Sequence, residues 1–359
     1  MLSSKKTPSF LAWSCVMLGL SNNLGAVLPE ATEARATPKA TASANTAPDY
    51  DWRPQKTVDL SRQKGLLKVE LDGDDMDVEE LNLNRTNVSD LSNVPQYTHL
   101  TKLILNSCNN PNLDLSIIPQ CKALRFLDLG FIKGNLDLTF LKDCTIETLF
   151  IQGRDDLIDL SFLAGCTSIK SLYVSGRNLK TLDGIGDLSN LEKLQVSSDA
   201  LTTLNGIDQS SLTTLLVNKS DKLSDVHALQ NHPSLTHATI DWFPGTNLEA
   251  FTGCANLESL SLPNCFYLKT LDGFDGENIQ SLYIEKGKNL QNIDAVAAWT
   301  QLNTVSLKDT YVLNLSPLMK LSQLISFEAN QGEKASVEQV EAMVKERRRQ
   351  QGLSHSEAY

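Results

Sequence analysis

Three histidines occur at intervals of five residues, at His227, His232 and His237. Imidazole nitrogens are common zinc ligands, but a tetrahedral site needs side chains that converge on one point. The spacing of the surrounding leucines assigns His227 to a turn, His232 to an edge and His237 to a strand. Side chains on three different faces cannot converge, so we predict no metal site here.

Two other stretches imitate ligand-binding motifs. The segment Gly184-Ile-Gly186-Asp-Leu-Ser189 begins like a dinucleotide-binding loop, but it ends in serine and has no separate βαβ unit around it. The acidic run between Glu70 and Glu80 lacks the Asp-x-Asp-x-Asp-Gly order of a calcium loop and is typical of a solvated edge. We therefore predict no cofactor.

The seven cysteines could supply a nucleophile or disulfide bonds. Four of them precede the start of a leucine pattern by two or three residues, where other stretches of the chain have a large apolar residue: Cys121, Cys144, Cys166 and Cys254. This placement predicts buried free thiols. A disulfide between Cys144 and Cys166 is the alternative, because an exported protein can form one. No histidine is in register with a cysteine, so we predict no enzyme.

The composition excludes two classes of partner. The chain has 359 residues, 41% of them hydrophobic, and it carries 32 Lys and Arg against 43 Asp and Glu, a net charge of −11. Generic binding to nucleic acid or to anionic lipid needs a basic surface. We therefore predict neither nucleic acid nor membrane lipid as the partner.

The first residues have the order of a secretory signal. Lys5 and Lys6 precede an apolar run of 11 residues, Phe10 to Leu20, which is too short to span a membrane. Small residues at Gly25 and Ala26 predict a signal peptide over 1–26, with cleavage as late as 36; a buried N-terminal helix is the alternative. Residues 27–55 are rich in Pro, Ala and Thr and predict a disordered linker. The mature protein is then secreted, at the cell surface or periplasmic, without a membrane span.

One unit repeats through the rest of the chain. The pattern L-x-x-L-x-L, with other apolar residues allowed, begins at Val78, Leu100, Leu124, Ile146, Ile169, Leu191, Leu212, Leu235, Leu257, Ile279, Leu302 and Leu324. The intervals run from 21 to 24 residues, and their mean is about 22. The alternating second half of the pattern predicts one short strand per repeat. The strands of successive repeats then form a parallel sheet.

Between the strands, apolar residues recur every third position, which favours 3-10 turns over long helices. A row of mostly Ser, Thr, Asp and Asn follows the second of these positions: Ser92, Ser116, Thr139, Ser161, Asp183, Asn205, His227, Glu249, Asp272, Asp294 and Ser316. Such side chains accept hydrogen bonds from free N–H groups at the start of a turn. We predict that this row caps the turns.

These units resemble the leucine-rich repeats of the internalin-like and phosphatase-regulatory short-repeat class. Leu182-Asp-Gly-Ile185, Leu204-Asn-Gly-Ile207 and Leu271-Asp-Gly-Phe274 show the resemblance best, and it extends over about 78–330. It implies an α/β right-handed solenoid, an arc with a concave parallel sheet and convex 3-10 turns, and for secreted bacterial members it implies protein recognition at that sheet. The usual Asn after the strand is mostly replaced, by Thr86, Cys108, Arg154, Arg177, Ser220 or Cys265.

A solenoid needs closed ends, because terminal repeats otherwise expose apolar faces. We predict an N-terminal cap over 56–77, with its strand at 66–71, and repeats over 78–332, about 11 to 12 in number. Residues 333–359 predict a capping helix and tail, opened by Ser336-Val-Glu-Gln339 and ending in the basic run 345–349. A nucleic-acid contact is the alternative for that run.

The residues between the apolar positions of each strand point away from the core and form a surface that we call the open face of the sheet. Polar residues dominate it, but Phe126, Phe150 and Tyr173 fall in successive repeats. Aromatic residues are frequent at binding hot spots. We predict a binding surface that contains Phe126, Asp128, Phe150, Gln152, Tyr173, Lys193, Leu216, His237, Asp241 and Tyr283. The alternative is that another segment of the chain covers the rings.

These observations predict a secreted or periplasmic, non-enzymatic recognition protein that binds a partner protein through the concave face of the sheet. Two alternatives remain open at this point. The repeats could be the targeting module of a host-directed effector or enzyme complex, although only about 30 residues follow the last repeat. The same aromatic residues could also bind carbohydrate or peptidoglycan.

Overall fold

A computed structural model describes residues 56–134, 136–207, 211–330 and 334–353. The leader 1–26 and the linker 27–55 lie outside the described residues, so both stay predictions. The repeats belong to one compact unit, 55–350.

One parallel sheet of thirteen strands runs through this unit, and its strands follow chain order. The strands are β1 Thr57–Asp59, β2 Glu80–Asn82, β3 Lys102–Ile104, β4 Phe126–Asp128, β5 Thr148–Ile151, β6 Ser171–Ser175, β7 Lys193–Ser197, β8 Thr214–Asn218, β9 His237–Ile240, β10 Ser259–Leu262, β11 Ser281–Glu285, β12 Thr304–Lys308 and β13 Ser326–Ala329. Each of the twelve predicted strands is confirmed and begins two residues after the start of its leucine pattern. Glu80 pairs with Lys102 and Lys102 with Phe126, so the register also follows the repeat.

The core lies between the sheet and the turns. In each strand the alternate residues point inward, as Leu149, Leu172 and Leu194 do with no exposed surface. The turn leucines close the other side of the core. Burial of this continuous apolar column stabilises the solenoid, because a single repeat could not bury its apolar face alone.

Short 3-10 helices lie opposite the sheet, as predicted. They are Gly73–Asp77, Val94–Gln96, Ile118–Gln120, Thr139–Asp143, Ser161–Leu163, Ile185–Asp187, His227–Leu229, Glu249–Phe251, Asp294–Ala298 and Ser316–Lys320. Most span three residues, as expected because long 3-10 runs have poor hydrogen-bond geometry.

The predicted capping row has a different role. Ten of its eleven members donate their backbone N–H, and the acceptor is the side chain two residues earlier. The side chains of Asp183 and Asp272 accept from the hydroxyls of Thr181 and Thr270. Ser161 N–H, for example, donates to Asp159 Oδ1 at 2.9 Å. The acceptors are Asp90, Asp114, Asp137, Asp159, Thr203, Asp225, Asn247, Thr270, Asn292 and Asn314. These local Asx-type turns satisfy an N–H that the helical turn leaves free.

The Asp159 turn provides a test that depends on pH. Hydrogen bonds from the Ser161 hydroxyl and N–H lower the pKa of Asp159. A depressed folded-state pKa stabilises the fold above the unfolded pKa of about 3.9, and this contribution is lost as pH falls through the folded pKa. We expect Asp159→Ala to lower the free energy of unfolding at pH 7 by about 1 kcal/mol. Chemical denaturation measures it.

Asp159→Asn is the matched control, because Asn247, Asn292 and Asn314 fill the same position in other repeats. This variant should keep most of the stability at pH 7. The small advantage of the wild type over it should begin to fade below about pH 4 and be lost as the pH falls through the lowered pKa of Asp159. An advantage that grew as the pH fell would contradict this account of the turn.

The N-terminal end differs from the prediction. The first strand is Thr57–Asp59, which pairs with Glu80–Asn82. The segment 66–71, predicted as that strand, instead lies in the turn half of the first repeat. There the backbone of Lys68 forms an isolated parallel β-bridge with that of Asp90. Val69 is its fully buried residue, 22 positions before Leu91, so the segment follows the register of the turns.

The C-terminal end is covered by a helix, α1 Lys334–Gln350. It begins two residues before Ser336, so the predicted capping box lies inside its first turn. Arg347 donates to the carbonyls of Leu321 and Leu324, and the buried Arg348 donates to Ile325 O at 3.4 Å.

At the last strand, an arginine supplies a hydrogen-bond donor that the following strand supplies in the preceding repeat. In the preceding repeat the carbonyl of Asn303, which corresponds to that of Ile325, accepts the N–H groups of Ile325 and Ser326. No strand follows β13 in the sheet of the described residues, and Arg348 supplies the donor. Two arginines of the basic run thus donate hydrogen bonds to backbone carbonyls at the end of the solenoid.

The position of the usual Asn is buried in most repeats. Thr86 and Cys108 both donate to the carbonyl of Leu83, at 2.9 and 3.0 Å. Arg154 is also buried and pairs with Asp156 at 2.5 Å. Different side chains thus form polar contacts at the same position of the repeat. Arg177 is the exception, because it points into solvent beside Asp155.

Candidate functional site

Phe126, Phe150 and Tyr173 form one cluster on the open face, which we call the aromatic stack. They come from β4, β5 and β6, and strand register places Phe150 beside Tyr173. The ring centres of Phe126 and Phe150 are 5.3 Å apart with planes tilted by 38°. Those of Phe150 and Tyr173 are 4.1 Å apart, and the planes differ by only 2°. The structure therefore brings the three predicted rings together.

The rings are less exposed than the sequence suggested. We expected three exposed aromatic side chains, but Tyr173 is only 8% exposed and the two phenylalanines are half-buried. The cause is the parallel packing of neighbouring rings, since strands about 4.8 Å apart hold flat side chains within contact distance. The stack thus contributes to folding as well as offering a surface.

A lysine lies at each end of the aromatic stack. Lys102 Nζ is 5.0 Å from the centre of the Phe126 ring, and Lys193 Nζ is 5.5 Å from that of Tyr173. A cation over a ring face is attracted by the negative face of the ring. Sequence reasoning included Lys193 but missed Lys102, although Lys102 directly precedes Phe126 in the ladder of in-register residues.

Asp128 lies beside Phe150 in register. Its carboxylate accepts hydrogen bonds from Gly130 N–H at 2.8 Å and from Asn106 Nδ2 at 3.3 and 3.4 Å. Burial raises the pKa of Asp128, and these hydrogen bonds oppose the shift. The carboxylate is thus held in place by its own repeat and its neighbour.

The other predicted residues do not all belong to this cluster. Gln152 follows Phe150 by two positions on the same face, and Leu216 lies two strands beyond Tyr173. His237, Asp241 and Tyr283 are farther along the sheet, in or after β9 and β11. Asp241 accepts from Asn264 Nδ2 at 2.7 Å and from Lys219 N–H at 3.2 Å, which shows it joining repeats.

Sequence reasoning also missed a cavity at the carboxyl ends of β5 to β7. It has a volume of about 340 Å³, and its lining includes Phe131, Gly153, Ser175, Gly176, Ser197 and Lys219. The residues that follow β5, β6 and β7 at this level are Gly153, Gly176 and Ser198, whereas Phe131 and Lys219 border them. The absence of large side chains in three successive repeats was the available signal.

The three histidines do lie in different environments. His227 is exposed and contacts Asp225 at 2.9 Å, and His237 is half-buried on the open face. His232 was predicted at an edge, but it is buried and its Nε2 lies 3.1 Å from the carbonyl of Ile207. It fills the position that Cys254 occupies one repeat later, so the expectation that no histidine is in register with a cysteine was wrong. Among the described residues, no group of three His, Cys, Asp or Glu side chains could hold a metal ion.

The cysteines from Cys108 to Cys265 are free thiols. Burial raises their pKa values, to about 11 for Cys121 and Cys166 and to about 12 for Cys144 and Cys265. Thiolate is the reactive form of cysteine, so these groups are poor nucleophiles.

We therefore expect the native protein to react with a maleimide reagent at pH 8 roughly a hundredfold more slowly than an exposed thiol. After unfolding without reductant, the same six cysteines should all react. Peptide mass spectrometry assigns each site. Recovery of a cross-linked peptide that joins Cys144 to Cys166 would contradict the prediction.

No helix in the described part of the chain is long and apolar enough to cross a membrane.

Solved structures that match part of this chain include internalins. An internalin, InlF, from Listeria monocytogenes is 19% identical, with a TM-score of 0.46 over 75% of this chain and 88% of that one. The functional domain of InlJ from the same organism is 18% identical, with a TM-score of 0.46 over 71% of this chain and 59% of that one. A leucine-rich-repeat protein from Leptospira interrogans is 18% identical, with a TM-score of 0.45 over 76% and 74%.

No protein-family model matches the sequence, and a search of curated proteins gives no significant match. The fold is defined by the chain itself, through a repeat of about 22 residues, one parallel strand per repeat and a 3-10 turn opposite most strands. The sequence repeat and the strand order together give this chain the fold of a leucine-rich-repeat solenoid.

Proposed function

We propose that this protein is a secreted or periplasmic, non-enzymatic recognition module that binds a partner protein on the open face of its sheet. The aromatic stack of Phe126, Phe150 and Tyr173 is the observation that carries the proposal. Aromatic side chains dominate binding hot spots because they bury a large area at little cost in conformational entropy. The signal-like leader supports the proposed location.

The roles of the reactive side chains support a non-enzymatic function. The cysteines lie in the core with raised pKa values, and His232 lies in the same layer. The aspartates of the Asx-type turns, such as Asp90 and Asp159, accept backbone N–H groups. These groups stabilise the solenoid, whereas the open face offers aromatic and polar contact area.

Affinity capture with the chain that starts at residue 27 tests the proposal. The wild type and a Phe126→Ala, Phe150→Ala double variant serve as baits, and quantitative mass spectrometry compares the captured proteins. We expect one protein to be depleted from the double variant, which should lose at least about 2 kcal/mol of binding free energy. The change should then be reproduced with that purified protein.

Tyr267→Ala is the matched control, because this tyrosine is 62% exposed and lies outside the strands. It should leave capture unchanged. Thermal melting of each bait separates recognition from folding, which matters because the stack also packs. A double variant that captured the same partner with wild-type affinity would place the binding surface elsewhere, with His237, Asp241 and Tyr283 as the next positions to change.

A further inference from the structure

Within the aromatic stack, the packing of Phe150 and Tyr173 leaves ring edges, and not ring faces, toward solvent. Phe150 and Tyr173 are in-register neighbours with nearly parallel planes, so their faces oppose one another along the direction in which the strands succeed each other. Phe126 lies on the other side of Phe150, and Lys193 lies over Tyr173. The low exposure of Tyr173, 8%, agrees with both of its faces being covered.

Ring edges and ring faces differ in charge. An aromatic ring has a negative face and a positive edge, so an exposed edge favours an electron-rich group or the face of another ring. Sugar rings, in contrast, bind aromatic residues by laying C–H groups on an open face. The orientation of the aromatic stack therefore favours a protein occupant over a carbohydrate.

The two lysines at the ends of the stack are not equivalent. Lys102 Nζ pairs with Glu80 at 3.1 Å. Lys193 has uncharged neighbours in register, Ser171 and Thr214. Among the described residues, no carboxylate lies within 4.0 Å of its ammonium group. The stack thus has one end where the described residues supply an anion, Glu80, and one end where they supply none within 4.0 Å.

The negative charge beside the stack already has hydrogen-bond donors from the chain. Asp128 lies next to Phe150, and Gly130 N–H and Asn106 hold its carboxylate. A ligand cation would have to compete with these donors. A ligand anion at Lys193 would meet an ammonium group that lies between the uncharged Ser171 and Thr214 and has no carboxylate of the described residues within 4.0 Å.

Building on the proposed function, we propose that the partner docks a segment with an Asp or Glu side chain that pairs with Lys193, beside an aromatic side chain that packs on the ring edges of Phe150 and Tyr173. The pair gains strength as docking removes water from it. The chain as a whole is acidic, but charges beyond about 8 Å are screened at physiological ionic strength. The local cation therefore decides which segment fits.

A display library of random linear peptides, panned against the chain that starts at residue 27, tests this inference. We expect the enriched peptides to carry Asp or Glu close to Trp, Tyr or Phe. The most enriched peptide is then synthesised and titrated against the protein by calorimetry. Lys193→Met should weaken it at least about tenfold and Lys193→Glu more strongly, because like charges then face each other.

Lys308→Met is the matched control, because Lys308 lies on the open face at β12, paired with Glu328. It should leave the affinity unchanged. Enriched peptides that lack acidic residues, or that bind Lys193→Met as tightly as wild type while losing affinity for Phe150→Ala, would overturn this inference and leave the proposed function standing. Peptides insensitive to Phe150→Ala, or no enrichment, would count against both. If the protein binds to a glycan array and a Tyr173→Ala variant does not, the result would favour the carbohydrate alternative and overturn the inference.

Discussion

Replacing Leu172 by alanine should lower the free energy of unfolding by about 2 to 5 kcal/mol. Leu172 lies in β6 with no exposed surface and is in register with Leu149 and Leu194, which are equally buried. The substitution removes three side-chain carbons, Cγ and the two δ methyl groups, from a closely packed column. The neighbouring strands cannot move inward to fill the space without breaking the backbone hydrogen bonds of the sheet. A cavity therefore remains, and its cost adds to the lost burial.

Urea denaturation followed by circular dichroism measures the loss. Ser171→Ala is the matched control, since Ser171 is the preceding residue of the same strand and lies on the open face. It should change stability by less than about 0.5 kcal/mol. A Leu172→Ala variant as stable as the wild type would mean that this layer of the solenoid is not closely packed.

Gly184→Ala should cost about 3 kcal/mol of stability, for a backbone reason. Gly184 has φ of +99°, a conformation that residues with a side chain rarely adopt. An added Cβ would lie 2.4 Å from the carbonyl oxygen of Leu160 and 2.6 Å from its carbon. Both atoms belong to the backbone of the preceding repeat, so they can move away only if the turn itself moves.

Gly186→Ala is the control inside the same Gly-x-Gly segment. Gly186 lies within the 3-10 helix Ile185–Asp187, and an added Cβ would find its nearest neighbour, Gly206 O, at 3.8 Å. The variant should be neutral or more stable by up to about 1 kcal/mol. Equal losses in both glycine variants, measured by the same denaturation experiment, would contradict the assignment of distinct roles to them.

The repeat spacing alone predicted most of the architecture. A period of about 22 residues with alternating apolar positions assigns every strand residue to one of two faces. This is why the twelve predicted strands are confirmed and why Phe126, Phe150 and Tyr173 lie on one surface. The predicted leader and linker depend on composition, and they stay predictions.

Contacts within the turns and contacts between repeats decided what periodicity could not. The sequence marks Ser161 and Asp159 as turn residues, but only the folded turn shows that Asp159 accepts and Ser161 donates. Likewise, the burial of His232 depends on the carbonyl of Ile207, 25 residues earlier. The pairing of a polar group with its partner is a matter of distance in space, which spacing along the chain does not give.

The sequence by itself therefore determined the solenoid, its sheet and the face on which the aromatic residues lie, because a regular period forces regular stacking. The tertiary structure alone decided that Phe150 and Tyr173 pack face to face, that Lys193 covers one end, and that Arg348 closes the last repeat. The torsion angles of a side chain depend on the space that its neighbours leave, and those neighbours belong to adjacent repeats, about 22 residues away in the chain. Chemistry at the open face follows from that packing.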